Sequence, residues 1–293
     1  MSKAICLLIS SLLFTCIMTA PYSPTGDYIF DPSIQITEAS EGLIRYFLSF
    51  MNVAYCYDGE IQDNQCGGYT VPSEWDLVHS GRENEDPMSY NFLVFKSTQY
   101  KKVVVTVPGT RDGELMEELL QSGLSKYNSY KIMNYFKDRG DGIREGVRTG
   151  LQIALEGTSG YQVIFTGHSL GAAVSTVLAL YMHDDGVVTS ENAITLVTYG
   201  QPKTGNEAFV DRIMEICHKV FRIVRDNDLV VSLASLDIPV LNDSQHLGGK
   251  IYINHEMTEY IVCPYEKRSG FIFTECGEKK LPSTEAHNYN SVE

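Results

Sequence analysis

The feature that most constrains the fold is the stretch VIFTGHSLGAAVSTVLAL, which runs from Val163 to Leu180. Its first residues are apolar or β-branched, as in a buried strand, whereas small and aliphatic residues follow Leu170, as in a buried helix. Ser169 stands at the junction, in the pattern Gly-x-Ser-x-Gly. In a strand–turn–helix setting this pattern predicts a nucleophile elbow, in which glycine-sized neighbours leave room for a strained serine. The alternative is a Gly/Ser turn without a reactive group.

Buried-looking strands and helices alternate along the chain on both sides of this elbow. The segments KKVVVTVPGT, AITLVTYGQP and KVFRIVRDND are apolar like the strand before Ser169, and GKIYIN is typical of a shorter edge strand. Helical spacing covers Thr37–Cys56, Leu170 to about His183, and the region near Glu207–His218. This alternation predicts an α/β fold with a mostly parallel central sheet and helices on both faces.

The first twenty residues have the pattern of a secretory signal peptide. Lys3 supplies the positive charge, an apolar stretch runs from Ala4 to Met18, and Ala20 is a small residue at a plausible cleavage point. The stretch is short for a membrane span, and an uncleaved anchor is the alternative. We therefore expect a signal peptide at 1–20. No Pro/Gly linker separates two cores, so we expect one domain at 21–293.

Signal removal would leave an odd number of cysteines, so one of them is expected to be free. Cys217 lies in AFVDRIMEICHKV, which has helical apolar spacing, and is predicted to be a buried free thiol. The other four are expected to form disulfides in a secreted protein. Local pairs Cys56–Cys66 and Cys263–Cys276 are the simplest arrangement, and a long bridge between the two ends of the chain is the rival. Asn242 begins an N-glycosylation sequon if the host is a eukaryote.

The charge of the chain narrows the choice of partner. The formal net charge is −14, and the acidic residues are spread along the sequence. Phosphate binding needs a basic footprint, so nucleic acid and strongly anionic membranes are not expected as partners. An uncharged or zwitterionic ligand fits better. No CxxC pattern or His/Cys ligand set is present in the sequence, so a bound metal is not expected.

A serine hydroxyl needs a base, and in this class of sheet the partners follow the serine in the order acid, then histidine. His287 lies in the polar segment STEAHNYN near the C-terminus, which can fold back over the sheet edge, and we expect it to be the base. His183 and His218 fall on helix faces or ends and are more consistent with structural roles. His168 lies inside the elbow and is expected to point away from the serine.

The segment RIVRDNDLV places two acids just past the carboxyl end of a strand, where catalytic groups collect in open α/β sheets. The residues alone do not separate Asp226 from Asp228, and both also fit an ordinary solvated turn. For the oxyanion hole we expect one N–H from Leu170, directly after the nucleophile. A second donor is expected from the loop after an earlier strand, where TVPGTRD offers Thr110.

These elements together resemble the secreted class 3 lipases typified by filamentous-fungal triacylglycerol lipases. VTYGQPKTGNEAF resembles the family's Tyr-Gly-x-Pro-Arg-x-Gly-Asn element, which is more specific than Gly-x-Ser-x-Gly, and VPGT, the elbow and AHNYN match in family order. FRIVRDNDLVVSL resembles the acid loop, and its Asn-Asp-x-Val pattern identifies Asp228 as the acid. The resemblance spans roughly residues 40–290 and implies an α/β-hydrolase fold with Ser169, Asp228 and His287 as the catalytic triad.

The chain also departs from the family pattern. Pro108 replaces the usual arginine before Gly-Thr, and VVSLAS replaces a proline-rich run after the acid loop. GIREGVRTGLQIALEGTSG looks shorter than the usual helix before the elbow strand. Within it, Arg144-Glu-Gly-Val stands where the family commonly has His-x-Gly-Phe.

The resemblance also places a lid directly after the oxyanion loop. The segment Gly113–Gly123 has four apolar residues on one helical face: Leu115, Met116, Leu119 and Leu120. Such a helix could cover the site in water and turn its apolar face to lipid. A helix packed permanently on the core has the same periodicity.

We therefore expect a secreted serine esterase that hydrolyses acylglycerol esters at an oil–water or membrane interface, without a cofactor or a protein partner. A phospholipase A1 or a feruloyl-type esterase would use the same triad, since pocket shape decides the substrate. A catalytically silent lipid-binding protein on the same fold is the alternative from another functional class.

Overall fold

A computed structural model of the 293-residue chain describes residues 38–55, 65–66, 69–82, 91–109, 123–232, 243–255, 257 and 259–263. Within these ranges, no helix combines the length and the apolar character that crossing a membrane requires.

Helices and strands alternate along most of the described chain. The helices are α1 (Glu38–Ala54), α2 (Asn134–Leu155), α3 (Leu170–Asp184), α4 (Glu207–Ile216) and α5 (Leu229–Ser232). The strands are β1 (Gln65–Cys66), β2 (Tyr69–Thr70), β3 (Asp76–Arg82), β4 (Asn91–Ser97), β5 (Lys102–Val107), β6 (Leu124–Tyr127), β7 (Tyr130–Met133), β8 (Gln162–His168), β9 (Ile194–Tyr199), β10 (Cys217–Arg225), β11 (Lys250–Ile253) and β12 (Tyr260–Cys263).

Eight of these strands form one sheet in the order β12-β11-β10-β9-β8-β5-β4-β3. The centre of the sheet is parallel, because β5, β8, β9, β10 and β11 pair with parallel neighbours. The flanking strands β3, β4 and β12 pair antiparallel. The expected parallel centre is therefore confirmed, but the prediction that GKIYIN is the edge strand is wrong, since β12 pairs with β11 on its outer side.

The sheet separates two apolar layers, and this explains the continuous apolar runs of its central strands. On one face, α1 contributes Phe50 to a cluster that includes Trp75 and Ile164. On the other face, α2, α3 and α4 cover the sheet, and α3 is buried from Leu170 through Met182. The expected helices on both faces are thus confirmed. This burial fixes α3 and β8, the two elements that meet at Ser169.

The segment GIREGVRTGLQIALEGTSG includes the second part of α2, which has 22 residues in all. One helix prediction needs correction. The helix near Glu207–His218 ends at Ile216, so Cys217 begins β10 and His218 lies exposed on that strand rather than on a helix. At its other end, α4 is capped by Asn206, whose side chain accepts a hydrogen bond from the N–H of Phe209 at 3.1 Å.

Cys217 is nevertheless a buried free cysteine, as predicted. Burial raises the pKa of its thiol to about 12, so the thiol stays protonated at neutral pH. Cys263, at the end of β12, is fully buried and disulfide-bonded. Cys56, Cys276 and the side chain of Cys66 lie outside the described residues, so the pairing scheme stays a prediction.

Candidate active site

Ser169 occupies the sharp turn between β8 and α3. Its backbone has φ 54° and ψ −123°, a strained conformation for any residue with a side chain. The N–H of Ser169 donates to the carbonyl of Tyr199 at 2.9 Å, and the carbonyl of Ser169 accepts from Ala172 at 3.1 Å. The end of β9 and the first turn of α3 therefore hold the serine in this conformation.

The two glycines of the motif permit backbone to pack directly on backbone. A Cβ at Gly171 would lie 2.2 Å from the carbonyl oxygen of Val107 and 2.3 Å from that of Pro108. A Cβ at Gly167 would lie 2.5 Å from the carbonyl of Gly171. All three distances are too short for any side chain, so glycine is required at both positions. The missing side chains bring the first turn of α3 against the end of β5.

The loop that follows β5 therefore passes beside Ser169. A Cβ at Gly109 would lie 3.1 Å from Cβ of Ser169 and 2.8 Å from the carbonyl oxygen of His168. Leu170, whose N–H is the first predicted oxyanion donor, is fully buried at the start of α3. The N-terminus of a helix favours developing negative charge. Thr110, the second predicted donor, lies just outside the described residues.

Asp228 lies in the turn between β10 and α5 and is fully buried. Its Oδ1 accepts hydrogen bonds from the N–H of Val230 at 2.9 Å and from that of Val231 at 3.4 Å. The carboxylate thus caps the first turn of α5. Since β8, β9 and β10 run parallel side by side, Asp228 and Ser169 follow strand ends at the same edge of the sheet.

Asp226 contacts a different part of the structure from Asp228. Its Oδ1 accepts a hydrogen bond from the hydroxyl of Tyr252 at 3.1 Å, and its Oδ2 lies 3.8 Å from Nδ1 of His255. Both partners belong to β11 or to the turn after it. The side chain of Asp226 therefore points toward β11, whereas that of Asp228 caps α5. These contacts favour Asp228 as the acid of the site.

The histidines near the site have distinct surroundings. Nδ1 of His168 lies 2.7 Å from the hydroxyl of Tyr55, at the end of α1. His183 lies in the last turn of α3, with Nδ1 3.5 Å from Asp184. Nε2 of His246 lies 3.3 Å from the carbonyl oxygen of Val231 in α5. The sequence did not single out Tyr55 or His246 for a role, because their contacts join segments far apart in the chain.

Burial holds the pKa of His246 well below its usual range, and the nearby cations of Arg222, Lys203 and Lys250 lower it further. The imidazole is therefore neutral at physiological pH and can donate Nε2–H to Val231. This contact supports the helix that Asp228 caps.

The remaining predicted site residues lie outside the described residues: His287, Thr110, Leu115, Met116, Leu119, Leu120 and Asn242. Among the residues that the structure describes, no three His, Cys, Asp or Glu side chains are grouped as metal ligands.

The sequence and the fold of the chain are similar to those of known lipases. A family model described as Lipase (class 3) matches residues 92–237, from β4 to just past α5. The chain is 26% identical over 241 residues to a secreted mono- and diacylglycerol lipase 1 of Fusarium solani, covering 79% of this chain and 71% of that protein. It is 35% identical over 78 residues to phospholipase A1-Igamma1, chloroplastic, of Arabidopsis thaliana, covering 25% of this chain and 15% of that protein.

Solved structures share the fold. The crystal structure of a lipase from Rhizopus microsporus var. chinensis superposes with a TM-score of 0.72 at 19% identity, covering 92% of this chain and 94% of that one. Several other curated relatives are matched over less than half of their own length.

Proposed function

Because the chain belongs to the class 3 lipase family of carboxylic ester hydrolases within the α/β-hydrolase superfamily, we propose that it is a secreted enzyme that hydrolyses acylglycerol esters. Ser169 is the proposed nucleophile, His287 the base and Asp228 the acid. The observation that supports this assignment best is the backbone of Ser169 at φ 54°, held beside the loop after β5. Strain of this kind persists only where the surrounding structure enforces it.

In the proposed mechanism, Oγ of Ser169 attacks the ester carbonyl while His287 accepts the hydroxyl proton. The N–H groups of Leu170 and Thr110 stabilise the negative charge on the carbonyl oxygen. His287 then gives its proton to the departing alcohol, which leaves an acyl-enzyme. Asp228 orients His287 and stabilises its charged form. A water molecule deprotonated by His287 releases the fatty acid and regenerates Ser169.

The surroundings of Ser169 also support the proposed oxyanion hole. A Cβ added to Gly109 would lie 3.1 Å from Cβ of Ser169, and the second oxyanion donor is proposed to follow Gly109 in the same loop. The N-terminus of α3 lies directly behind Ser169. We propose that the N–H groups of Leu170 and Thr110 together bind the oxygen of a carbonyl carbon attached to Oγ.

An acylglycerol is the preferred substrate because the Fusarium relative, named for mono- and diacylglycerols, matches most of this chain. Phospholipase A1 activity is the second candidate, favoured by the Arabidopsis relative, which matches a shorter segment at higher identity. The two are separated by comparing initial rates on a diacylglycerol emulsion with fatty-acid release from the sn-1 position of phosphatidylcholine. A feruloyl-type esterase would instead favour a soluble feruloyl ester.

The remaining features of the proposal concern secretion and the interface. We propose that residues 1–20 direct secretion, that 21–293 form one domain, and that Asn242 is glycosylated. We also propose that Leu115, Met116, Leu119 and Leu120, which lie outside the described residues, form the apolar face of a lid that exposes the site at a lipid surface. A strong preference for emulsified over soluble short-chain esters is expected. Equal specific activities on both would contradict the lid.

The triad is tested by hydrolysis of a chain-length series of p-nitrophenyl esters with the mature protein and two serine variants. Ser169→Ala is expected to lower kcat by about 10⁵- to 10⁶-fold, as removal of a serine nucleophile does elsewhere. Ser175→Ala is the matched control, because this buried serine lies in α3, the helix that follows Ser169, and its hydroxyl donates to the carbonyl of Thr166 at 2.7 Å. The control should keep its kcat.

A phosphonate that labels wild type and Ser175→Ala, but not Ser169→Ala, would assign the nucleophile directly. If wild type and Ser169→Ala bind lipid equally and neither hydrolyses any ester at an interface, the protein is a lipid-binding member of the fold and the proposal fails.

A further inference from the structure

The turn that leads to Asp228 contains a second strained residue. Asp226 has φ 42°, in the left-handed region, where aspartate is tolerated better than most residues. The N–H of Asp228 donates to the carbonyl of Arg225 at 3.1 Å, which closes a four-residue turn with Asp226 at its second position. The conformation of Asp226 therefore sets where the chain leaves β10 and where Asp228 begins α5.

The backbone and side chain of Asp226 both attach this turn to β11. Its N–H donates to the carbonyl of Ile253 at 2.6 Å, and its Oδ1 accepts from the hydroxyl of Tyr252 at 3.1 Å. Tyr252 is 3% exposed, and only 5% of the Asp226 side chain is exposed. A hydrogen bond between a charged oxygen and a buried hydroxyl is stronger than a neutral one. The turn is thus fixed to a strand that lies 26 residues later in the sequence.

A second contact joins the same two segments. Arg225 is 2% exposed, and its Nε and one terminal nitrogen both donate to the carbonyl of His255, at 2.9 and 2.6 Å. His255 follows β11 and also presents Nδ1 to Oδ2 of Asp226 at 3.8 Å. Arg225 and Asp226 are consecutive residues of the turn that leads to Asp228, and both therefore bind the end of β11 or the turn after it.

We propose that Asp226 is a positioning residue for the acid of the triad, and that it acts through its hydrogen bond with Tyr252. This proposal rests on the proposed function, because it assumes that Asp228 orients the catalytic base. Asp226 does not touch the substrate. It holds the turn so that the carboxylate of Asp228 stays within reach of the base, and a displacement of about 1 Å in such a group costs about 10²-fold in rate.

Three substitutions at position 226 separate the roles of backbone and side chain. Asp226→Asn keeps an oxygen for Tyr252 and tolerates the left-handed conformation. Asp226→Gly keeps only the conformation, and Asp226→Ala keeps neither. We expect the asparagine variant to stay within about threefold of wild-type kcat, whereas the glycine and alanine variants lose about 10- to 100-fold at unchanged KM.

Tyr252→Phe removes the partner hydroxyl with a minimal change in shape and should lower kcat by about tenfold. Combined with Asp226→Gly it should add little further loss, because both changes break the same contact. Tyr260→Phe is the matched control. This tyrosine lies on the next strand, its hydroxyl donates to the carbonyl of Met257 at 3.2 Å, and its removal should leave kcat unchanged.

Amide hydrogen exchange gives a readout that does not depend on activity. Peptides covering residues 225–232 should exchange faster in Tyr252→Phe than in Tyr260→Phe. Equal exchange in these two variants, or wild-type kcat in both Asp226→Gly and Tyr252→Phe, would overturn the positioning role. The proposed function would still stand if Ser169→Ala were inactive in the same assay. An inactive wild type with faster exchange in Tyr252→Phe would instead contradict the proposed function and retain the structural link.

Discussion

The hydroxyl of Tyr55 lies 2.7 Å from Nδ1 of His168, and this contact joins the end of α1 to the residue before Ser169. The same hydroxyl lies 2.5 Å from the position that a Cβ of Gly109 would occupy. Three segments therefore meet at one oxygen atom: the end of α1, the elbow and the loop after β5. Because Nδ1 of His168 faces Tyr55, this histidine supports the elbow from the side of α1.

Tyr55→Phe removes that hydroxyl and should loosen the elbow without emptying the core. We expect a loss of about 1 kcal/mol in the free energy of unfolding, the usual value for one hydrogen bond. We also expect about a tenfold lower kcat, because the loop after β5, which is proposed to carry the second oxyanion donor, lies at the same point. Urea unfolding and steady-state hydrolysis measure the two effects. Tyr100→Phe, which removes a hydroxyl exposed beside Glu74, should change neither. Wild-type kcat in Tyr55→Phe would contradict the proposal that the Tyr55 hydroxyl supports the elbow at Ser169.

Asp228→Asn should lower kcat by about 10³- to 10⁴-fold, because an amide can cap α5 but cannot stabilise a charged histidine. The asparagine oxygen can still accept the hydrogen bonds of Val230 and Val231, so the melting temperature should change little. Hydrolysis and thermal unfolding of the same preparation check both points. The control Asp76→Asn, at an exposed position on β3, should match wild type in both. A kcat within threefold of wild type would remove Asp228 from the triad.

Gly171→Ala should destabilise the fold rather than act on the chemistry alone. The added Cβ would lie 2.2 Å from the carbonyl oxygen of Val107, and neither backbone can move without displacing β5 or α3. Overpacking of this kind costs about 1–3 kcal/mol or more. The same substitution at Gly142, an exposed position inside α2, should stabilise the protein by about 0.5–1 kcal/mol. Chemical denaturation of both variants tests these opposite signs, and a stable Gly171→Ala would contradict the close packing.

The lowered pKa of His246 predicts an acid-sensitive contribution to stability. In the unfolded chain this histidine takes up a proton below pH about 6.5, whereas in the folded protein burial and the nearby cations keep it neutral. The unfolded state then binds more protons, so the free energy of unfolding should fall as pH drops below about 6.5.

Urea midpoints at pH 7.5, 6.5 and 5.5 measure this effect of His246. His246→Gln should show a smaller decrease over the same range, although its stability at pH 7.5 is also lower because the bond to Val231 is weakened. His218→Gln, at an exposed position of β10, should keep the wild-type dependence. If the urea midpoint of His246→Gln decreased with falling pH as much as that of wild type, groups other than His246 would control the loss of stability in acid.

Much of the fold could be predicted from local patterns. Continuous apolar runs mark β5, β8, β9 and β10 because strands covered on both faces have no solvent side. The Gly-x-Ser-x-Gly turn predicts the elbow because its glycines are required within four residues of each other, a relation that sequence states directly. The burial of Cys217 was also predictable, but its place on β10 was not, since apolar spacing over a few residues fits a helix end or a strand start equally well.

Residue patterns alone did not identify the expected catalytic acid. Asp226 and Asp228 follow the same strand and are equivalent by position, and only the family resemblance favoured Asp228. In the structure they differ by their partners: Asp226 faces Tyr252, and Asp228 faces the first turn of α5. A partner 26 residues away cannot be identified from the periodicity of the sequence, because its position depends on which strands become neighbours in the sheet.

The sequence by itself determined the layers of the sheet, the buried helices and the turn that exposes a serine, because each depends on spacing within about twenty residues. Only the tertiary structure decided that β12 covers β11, that Tyr55 contacts the elbow across 113 residues, and that Asp226 and Asp228 have different partners. The physical reason is common to all three: a side chain's role is fixed by the atoms it packs against. Those atoms come from segments that only the folded sheet brings together.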